Sequence, residues 1–328
     1  MPKIIKRVAV LTSGGDSPGM NAAIRSVVRT CAFHKIQCIG IYRGYQGMIE
    51  GDFIEMGPRS VHNIINKGGT ILKSARSKEF MTVEGRKKAF AELIKAEIDG
   101  FVVIGGDGSF TGAQIFNKEF KFPVMGIPGT IDNDIFGTSH TLGYDTALNT
   151  VIECIDKIRD TASSHNRLFF VEVMGRDAGH IALNAGIGAG AEEILIPEED
   201  LGLERLVESL RKSKAAGKSS SIVVIAEGDK IGKNVFELKD YVEANLPEYE
   251  VRVSVLGHMQ RGGSPSCFDR VLASRLGVKA VESLLEGKSN FMVGMLNDKV
   301  TLTPLLQAIK GETLIDRELL RVSEIMSV

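Results

Sequence analysis

Short apolar runs alternate with longer segments of helical periodicity along most of the chain. The predicted strands are residues 8–11, 36–41, 101–104, 123–127, 168–173, 193–196, 222–226 and 251–256. The predicted helices are one with Ser17 as N-cap and Pro18 at its first position, and then residues 82–98, 144–163 and 268–285. This alternation predicts parallel strands with helices on both faces, and ligands at the carboxyl ends of the strands.

The alternation pauses at one long helical pattern, 144–163, and then resumes. A length of 328 residues indicates roughly two domains, and a hydrophobic content of 43% is enough for a substantial core. We therefore predict an α/β fold of two packed three-layer lobes with mostly parallel sheets, and we expect the active site in the cleft between the lobes.

Positive and negative charges are balanced, with 40 Lys and Arg against 41 Asp and Glu and a formal net charge of −1. Such a chain has no general attraction to nucleic acid or to an anionic membrane, so we expect neither as a partner. The four cysteines are scattered without a CxxC spacing and predict neither a zinc site nor a disulfide framework. Because the N-terminus does not resemble a signal peptide and no apolar stretch reaches ~20 residues, we expect a cytoplasmic protein.

Two glycine-containing runs each follow a predicted strand and carry the residue types of phosphate chemistry. In the first, Gly105 to Ser109, glycines let backbone N–H groups and the positive end of the next helix approach phosphate oxygens. Asp107 in this loop is a candidate magnesium ligand. The second run, Pro128 to Asp134, brings a hydroxyl and two carboxylates to the same edge of the sheet: Thr130, Asp132 and Asp134. Together the two runs predict phosphoryl transfer to a hydroxyl group.

A third loop, Thr12 to Asp16, resembles an ordinary glycine turn when it is considered alone. It becomes a candidate phosphate-binding loop because two further glycine loops are expected at the same edge of the sheet. A lone arginine is usually a solvated surface charge, but several near strand ends predict a phosphorylated substrate. They are Arg76, Arg167, Arg176, Arg252 and Arg261. His258, close to Arg261 and two glycines, is a reasonable ligand contact. Glu227 is either an acceptor for a sugar hydroxyl or an ordinary loop carboxylate, and the residues alone favour the latter.

Two familiar nucleotide-binding motifs fail on inspection. Residues 216–219 resemble the end of a Walker A loop, but Lys212 stands where its first glycine should be, and the segment follows a helix and precedes a strand. Residues 186–191 fit a loose dinucleotide fingerprint, but they too follow a helix and precede a strand. We therefore expect neither a P-loop nor a dinucleotide site.

Seven motifs in the chain, taken together, resemble the ATP-dependent 6-phosphofructokinases of the bacterial type. They are residues 11–16, 18–25, 68–70, 105–109, 128–134, 173–176 and 256–265. The resemblance covers nearly the whole chain and implies phosphorylation of fructose 6-phosphate by ATP, with Mg²⁺ as cofactor. NAD kinases and lipid kinases share only a short Gly-Gly-Asp-Gly loop and would explain one motif of the seven.

The resemblance also implies roles for individual residues. Asp132 is the expected general base for the sugar 1-hydroxyl, Thr130 and Asp134 position the acceptor and the charge around it, and Asp107 holds Mg²⁺. The implied ATP contacts are Gly15, Arg76, Ser77, Gly106, Asp107, Gly108 and Ser109, with Arg76 also stabilising the transferred phosphoryl group. The implied sugar-phosphate contacts are Thr130, Asp132, Met174, Gly175, Arg176, Glu227, His258 and Arg261. Arg167 and Arg252 match arginines that a neighbouring subunit supplies, which implies a homotetramer with shared active sites.

The family pattern further assigns residues 1–142 plus about 259–305 to an ATP-binding lobe, and residues 143–258 plus about 306–328 to a sugar-phosphate-binding lobe. In the pyrophosphate-using branch, the position of Gly108 is typically aspartate and that of Gly129 typically lysine. Glycine at both positions favours ATP as the donor over pyrophosphate. A catalytically silent regulatory subunit is the remaining alternative, and the presence of Asp107, Asp132 and Arg76 argues against it.

An effector site for ADP or phosphoenolpyruvate between subunits is also implied. The matching residues are Arg25, Arg29, Arg159, Gly190, Glu192 and Lys218. The segment 216–220 is poorer in basic residues than the family pattern, and Arg59 is displaced by one position. We therefore expect weakened or altered regulation. The segment 228–250 is longer than in the family pattern.

Overall fold

The computed structural model describes residues 5–163, 167–199, 202–217, 221–231 and 234–327. The strands are β1 (Arg7–Thr12), β2 (Gln37–Ile41), β3 (Phe53–Met56), β4 (Gly100–Gly105), β5 (Val124–Pro128), β6 (Arg167–Val173), β7 (Glu193–Leu195), β8 (Ser221–Ala226), β9 (Glu250–Val255), β10 (Phe291–Leu296) and β11 (Lys299–Pro304). The helices are α1 (Met20–Phe33), α2 (Gly44–Glu50), α3 (Val83–Lys95), α4 (Asp107–Phe120), α5 (Tyr144–Ser163), α6 (His180–Gly188), α7 (Leu203–Ala215), α8 (Val235–Asn245), α9 (Cys267–Leu285), α10 (Leu305–Lys310) and α11 (Arg317–Met326). Two 3₁₀ helices lie at Glu79–Met81 and Gly257–Arg261.

The chain divides into two compact units. The first consists of Met1–Ile131, Ile135–Thr146 and Arg261–Thr313, and the second of Asp132–Asp134, Ala147–Gln260 and Leu314–Val328. The division therefore runs through the predicted catalytic run 128–134 and through the first turn of α5. The assignment of ATP to one unit and the sugar phosphate to the other stays a prediction.

The first unit is built on a seven-stranded sheet in the order β11-β10-β5-β4-β1-β2-β3. Its five central strands are parallel, and the two edge strands, β3 and β11, pair antiparallel to their neighbours. The second unit has a four-stranded sheet in the order β7-β8-β6-β9, in which every pair is parallel. The predicted α/β class with mostly parallel sheets is confirmed. None of the helices among the described residues is both long and apolar enough to cross a membrane.

The central strands of the first unit are buried on both faces, as parallel strands between helical layers must be. Val8 and Val10 of β1 pack into one hydrophobic cluster together with residues of α1 and α9. Ala9 and Leu11, which alternate with them, pack into a second cluster with residues of α3 and α4. This alternation explains why the strands appear in the sequence as continuous apolar runs.

The predicted start of α1 is wrong. Gly19 has a φ of 100°, a left-handed conformation that ends the preceding turn, so α1 begins at Met20 and Ser17 is not its cap. The helix predicted over 82–98 is shorter: the Thr82 hydroxyl caps it by accepting from Gly85 N at 3.0 Å, and it ends at Lys95, two residues before Glu97 at a φ of 54°. The long helix α5 has the predicted bounds.

A buried carboxylate at the start of α9 caps the start of α5. Asp269 is fully buried and accepts from Gly143 N at 2.9 Å, Thr146 N at 2.9 Å and the Thr146 hydroxyl at 2.5 Å. Burial raises the pKa of Asp269, and these hydrogen bonds oppose that rise. The carboxylate thus satisfies backbone N–H groups at a helix terminus that have no partner within the helix.

We predict that Asp269→Ala lowers the free energy of unfolding by about 2–4 kcal/mol, because it leaves buried donors without an acceptor. Urea unfolding followed by circular dichroism measures the change. The exposed Asp156 of α5 is the matched control, and Asp156→Ala should change the free energy by less than about 0.5 kcal/mol. Equal effects of the two substitutions would show that the buried cap is not important for stability.

Candidate active site

Three glycine loops lie side by side at the carboxyl edge of the seven-stranded sheet. They follow β1, β4 and β5, which are neighbours in the sheet. Ser13 N donates to Ile104 O at 3.0 Å, and Gly129 N donates to Gly105 O at 2.9 Å, so backbone hydrogen bonds continue beyond the strands. The structure therefore brings together the three loops that the sequence singled out.

The loop after β4 is a single residue long. Gly105 ends the strand, Gly106 is the N-cap of α4, and Ser109 N and Phe110 N both donate to Gly106 O at 3.0 Å. A Cβ on Gly105 would lie far inside van der Waals contact with Ser13 O, whereas a Cβ on Gly108 would meet nothing within 4 Å. The start of α4 thus faces open space and presents backbone N–H groups and a positive helix end, the features that favour a phosphate.

Tyr45 stabilises the start of α4 through a hydrogen bond to its backbone. Its buried hydroxyl donates to Ser109 O at 2.5 Å, and Ser109 itself is buried. Burial raises the pKa of Tyr45, so the phenol remains protonated and continues to donate. The predicted ATP contact Ser109 is therefore held in place by a residue that the sequence did not single out.

Asp107 in the first turn of α4 is the predicted magnesium ligand. Among the described residues, no group of three or more histidine, cysteine, aspartate or glutamate side chains is arranged to hold a metal. Mg²⁺ needs no such group when phosphates and water supply most of its ligands, since one or two carboxylates then suffice. The oxygen of Asp107, next to a phosphate-binding helix start, fits that ligand set.

The run after β5 continues alongside residues 141–142. Leu142 N donates to Pro128 O at 2.8 Å, and the Thr141 hydroxyl donates to Thr130 O at 2.6 Å. A Cβ placed on Gly106 would lie 3.8 Å from the Cβ of Thr130, so Thr130 lies beside the phosphate loop. Asp132 is 6% exposed, and such burial of a carboxylate suits a residue with a chemical role.

Arg76 and Ser77 lie in a long connection between β3 and α3. The Arg76 side chain is exposed. The Ser77 hydroxyl donates to Gln46 Oε1 at 2.7 Å and accepts from Phe80 N at 3.2 Å, so it also helps to start the 3₁₀ helix at 79–81. Its predicted contact with ATP would be made by a hydroxyl that already has these two partners.

Arg261, predicted to contact the sugar phosphate, lies in the first unit against the loop after β1. Its Nη1 donates to Asp16 O at 3.3 Å and lies 2.8 Å from the position of a Cβ on Gly15. A side chain at residue 15 would therefore displace the guanidinium. The predicted ATP loop and a predicted sugar-phosphate arginine are thus in direct contact.

In the second unit, the turn after β6 carries three of the predicted sugar-phosphate residues, Met174, Gly175 and Arg176. Glu227 Oε1 accepts from Gly175 N at 3.3 Å and from Arg176 N at 2.8 Å. Gly175 and Arg176 have φ values of 145° and 57°. Glu227 therefore stabilises a left-handed turn, which neither interpretation of this residue from the sequence included. Burial, together with the charge of Glu227, raises the pKa of Glu172 on the adjoining strand.

Gln260 is a residue of this turn that sequence reasoning missed. It is fully buried, its Oε1 accepts from Met174 N at 3.2 Å, and its Nε2 donates to Gly257 O at 3.1 Å. It joins the turn at 174–176 to the 3₁₀ helix that carries the exposed His258. Its place in the run 256–265 was visible in the sequence, but its burial was not.

Arg167 and Arg252 lie on neighbouring strands and share one carboxylate. Arg167 Nε donates to Glu250 Oε2 at 2.9 Å, and Arg252 Nη2 donates to Glu250 Oε1. Arg167 and Glu250 are also directly paired in the sheet register. Ion pairs this exposed contribute little to stability, so a phosphate could compete for both arginines.

The predicted effector residues fall into separate groups. Arg25 and Arg29 of α1 line a cavity of about 350 Å³ beside α9, and burial together with the charge of Arg29 lowers the pKa of Arg25. Arg159 Nη2 donates to Ala189 O at 2.6 Å and Gly190 O at 2.7 Å. Glu192 is buried and accepts from Ile222 N at 2.5 Å, so its carboxylate supports β8. Lys218 lies outside the described residues.

A fold of two mostly parallel α/β units, with glycine loops and carboxylates at one sheet edge, defines a class of nucleotide- or phosphate-using enzymes. Comparison with known proteins narrows that class. Residues 7–284 match the phosphofructokinase family model. The chain therefore belongs to the phosphofructokinase family.

Two relatives illustrate the similarity. The chain is 54% identical over 324 residues to ATP-dependent 6-phosphofructokinase 1 of Thermus thermophilus, covering 99% of this chain and 100% of the relative. It is 50% identical over 324 residues to ATP-dependent 6-phosphofructokinase 2 of Bacteroides thetaiotaomicron, covering 99% of each. Among solved structures, phosphofructokinase from Saccharomyces cerevisiae superposes with a TM-score of 0.89 at 37% identity, over 93% of this chain and 45% of the yeast chain.

We predict that alanine lowers the stability of the protein at Gly105 but not at Gly108. Gly105→Ala should lower the free energy of unfolding by about 1–3 kcal/mol, because its Cβ must displace the backbone of Ser13. Gly108→Ala should leave stability unchanged or raise it by up to about 1 kcal/mol, because alanine favours a helix and its Cβ enters open space. Parallel thermal and urea unfolding of the two variants would test this, and a stable Gly105→Ala variant would contradict the close approach of the two loops.

Proposed function

We propose that this chain transfers the γ-phosphoryl group of ATP to the 1-hydroxyl of fructose 6-phosphate, giving fructose 1,6-bisphosphate and ADP, the committed step of glycolysis. The observation that carries the proposal is the meeting, at one sheet edge, of a helix start suited to phosphate with a run that holds Thr130 and the buried Asp132. Relatives that are 50–54% identical over 99% of the chain and named ATP-dependent 6-phosphofructokinases support the same activity.

In the proposed reaction, Asp132 accepts the proton of the sugar 1-hydroxyl as the new oxygen–phosphorus bond forms. The bond between the γ-phosphorus and its bridging oxygen breaks, and ADP leaves with that electron pair. Thr130 and Asp134 orient the acceptor hydroxyl. Backbone N–H groups at the start of α4 and the Arg76 guanidinium stabilise the negative charge on the transferred group, and such stabilisation is often the largest part of phosphoryl-transfer catalysis.

Asp107 would hold the Mg²⁺ that accompanies ATP. When bound, the metal neutralises phosphate charge and orients the terminal phosphoryl group. Gly15, Gly106, Gly108, Ser77 and Ser109 would complete the ATP site. Among them, Gly108 faces open space, which leaves room for phosphates at the start of α4.

The turn held by Glu227 and Gln260 would bind the sugar phosphate through Met174, Gly175 and Arg176, with His258 and Arg261. Arg167 and Arg252 would act on the site of a neighbouring subunit, so we propose a cytoplasmic homotetramer. An ADP or phosphoenolpyruvate effector would bind at Arg25, Arg29, Arg159, Gly190, Glu192 and Lys218. Because residues 216–220 are poor in basic side chains and Arg59 is displaced by one position, we expect altered regulation there.

Two glycines support ATP rather than pyrophosphate as the donor. The open space at Gly108 leaves room for the rest of a nucleotide beyond its phosphates. A Cβ on Gly129 would lie 3.0 Å from the Ile104 side chain and 3.1 Å from that of Met20, so a lysine there would need its neighbours to shift. This chain therefore lacks the aspartate and the lysine of the pyrophosphate-using branch, and at Gly129 the neighbouring side chains also leave little space for a lysine.

The first test is the initial rate of the purified protein with fructose 6-phosphate and Mg²⁺, with ATP or pyrophosphate as the donor. We expect activity with ATP that exceeds activity with pyrophosphate by at least about 10³-fold, a difference of about 4 kcal/mol in transition-state binding. Similar rates with pyrophosphate and with ATP would show that Gly108 and Gly129 do not determine the choice of donor. Inactivity with both donors would favour a regulatory subunit that only binds the sugar phosphate.

We predict that Asp132→Ser lowers kcat by about 10²–10⁴-fold and changes KM for fructose 6-phosphate by less than about 5-fold, because a general base acts mainly in the transition state. Steady-state kinetics of the folded variant measures both constants. The exposed Asp156→Ser is the control and should keep the kcat of the unchanged chain. A kcat within about 3-fold of the unchanged chain would remove Asp132 from the mechanism.

A further inference from the structure

The connection between β3 and the 3₁₀ helix at 79–81 is unusually long and leads directly into Arg76. Residues 57–78 form turns and bends without a strand or an α-helix. Connections longer than about 12–15 residues without secondary structure of their own are uncommon in compact domains and are often functional. Since the Arg76 side chain is exposed, its position depends on how the backbone of this connection is held. We call residues 66–74 the anchored loop.

One buried amide makes three hydrogen bonds to the backbone of the anchored loop. Asn21, in the first turn of α1, is 1% exposed. Its Nδ2 donates to Lys67 O at 3.1 Å and to Gly68 O at 3.0 Å, and its Oδ1 accepts from Ile71 N at 2.8 Å. Both ends of the amide are therefore committed to one loop that is 46 to 50 residues away in sequence.

Neighbouring contacts confine the same loop but are spread over several side chains. The Thr12 hydroxyl donates to Lys73 O at 2.8 Å and lies 2.9 Å from the Thr70 hydroxyl. The Ser74 hydroxyl donates to Gly14 O at 2.8 Å. These contacts tie the end of the anchored loop to the glycine loop after β1, two residues before Arg76.

The opposite side of the anchored loop contacts the segment around Gly263. A Cβ on Gly68 would lie far inside van der Waals contact with Gly263 O, so the two backbones already touch. The Ser264 hydroxyl also donates to Asn66 O at 2.8 Å. The loop is thus held between the segment after Arg261 on one side and Asn21 on the other.

From this arrangement we infer that Asn21 is a positioning residue for phosphoryl transfer, which fixes the anchored loop so that Arg76 is placed at the transferred group. The inference rests on the proposed role of Arg76. An asparagine suits this task because one short neutral side chain can donate and accept at once. Asn21 belongs to the run 18–25, to which the resemblance gave an effector role only at Arg25.

The test compares Asn21→Ala and Asn21→Ser with Asn117→Ala. Asn117 is the matched control, because its Nδ2 also donates to a backbone oxygen, Phe122 O at 2.9 Å, and to Ser289 Oγ at 3.2 Å, at the end of α4 away from the phosphate loop. We expect Asn21→Ala to fold and to lose about 10- to 100-fold in kcat, the size of loss that a displacement of roughly 1 Å causes. KM for fructose 6-phosphate should change by less than about 3-fold. Asn21→Ser keeps one donor and should recover part of kcat, and Asn117→Ala should keep kcat within about 2-fold.

A double-mutant cycle with Arg76→Ala separates positioning from stability. If Asn21 acts through Arg76, Asn21→Ala should lower kcat by less than about 3-fold once Arg76 is gone, whereas independent effects would multiply. Full multiplication, an unchanged kcat in Asn21→Ala, or failure of both Asn21 variants to fold would each overturn the inference and leave Asn21 a structural residue. Full activity of Arg76→Ala alone would instead refute the role of Arg76 in the proposed function.

Discussion

The close approach of three strand ends is the constraint on which the rest of this site depends. Ser13 N and Gly129 N donate to the backbones of Ile104 and Gly105, so the loops after β1, β4 and β5 continue the sheet for one more residue. This approach is possible because Gly105 has no side chain that would meet Ser13 O. As a result, α4 begins directly at the edge of the sheet, where the positive end of its helix dipole favours an anionic ligand.

This placement also determines which charges can act together. With the helix start and Asp107 on one loop and Thr130 on the next, a phosphate and a hydroxyl acceptor can be brought to the same edge without movement of the sheet. Arg261 approaches this edge from the other side, where Gly15 leaves space for its guanidinium. Preorganised dipoles and charges of this kind stabilise a transition state without reorganisation during the reaction.

Sequence periodicity predicted β1, β2 and β4 to β9, because most of these parallel strands are short apolar runs. It missed the antiparallel edge strands β3 and β11, and also β10, which pairs parallel to β5 and antiparallel to β11. It also placed the start of α1 too early, because the left-handed conformation of Gly19 depends on tertiary context and not on the favourable Ser17-Pro18 signal. The glycine loops were visible because their chemistry and spacing are local, whereas the partners of Glu227, Asn21 and Gln260 are set by residues distant in the chain.

Asn21 and Gln260 share a physical reason why their contacts could not be predicted from the sequence. Each is a neutral amide, almost fully buried, that both donates to and accepts from backbone groups near a predicted ligand-binding segment. A buried charged side chain in the same place would have to be desolvated and would compete for the ligand phosphate. An amide holds the backbone at a smaller cost, and the exposed side chains of Arg76 and His258 are then free of that task. Because these backbone contacts are made by neutral side chains, Asn21 and Gln260 carry no signal in the charge pattern of the chain.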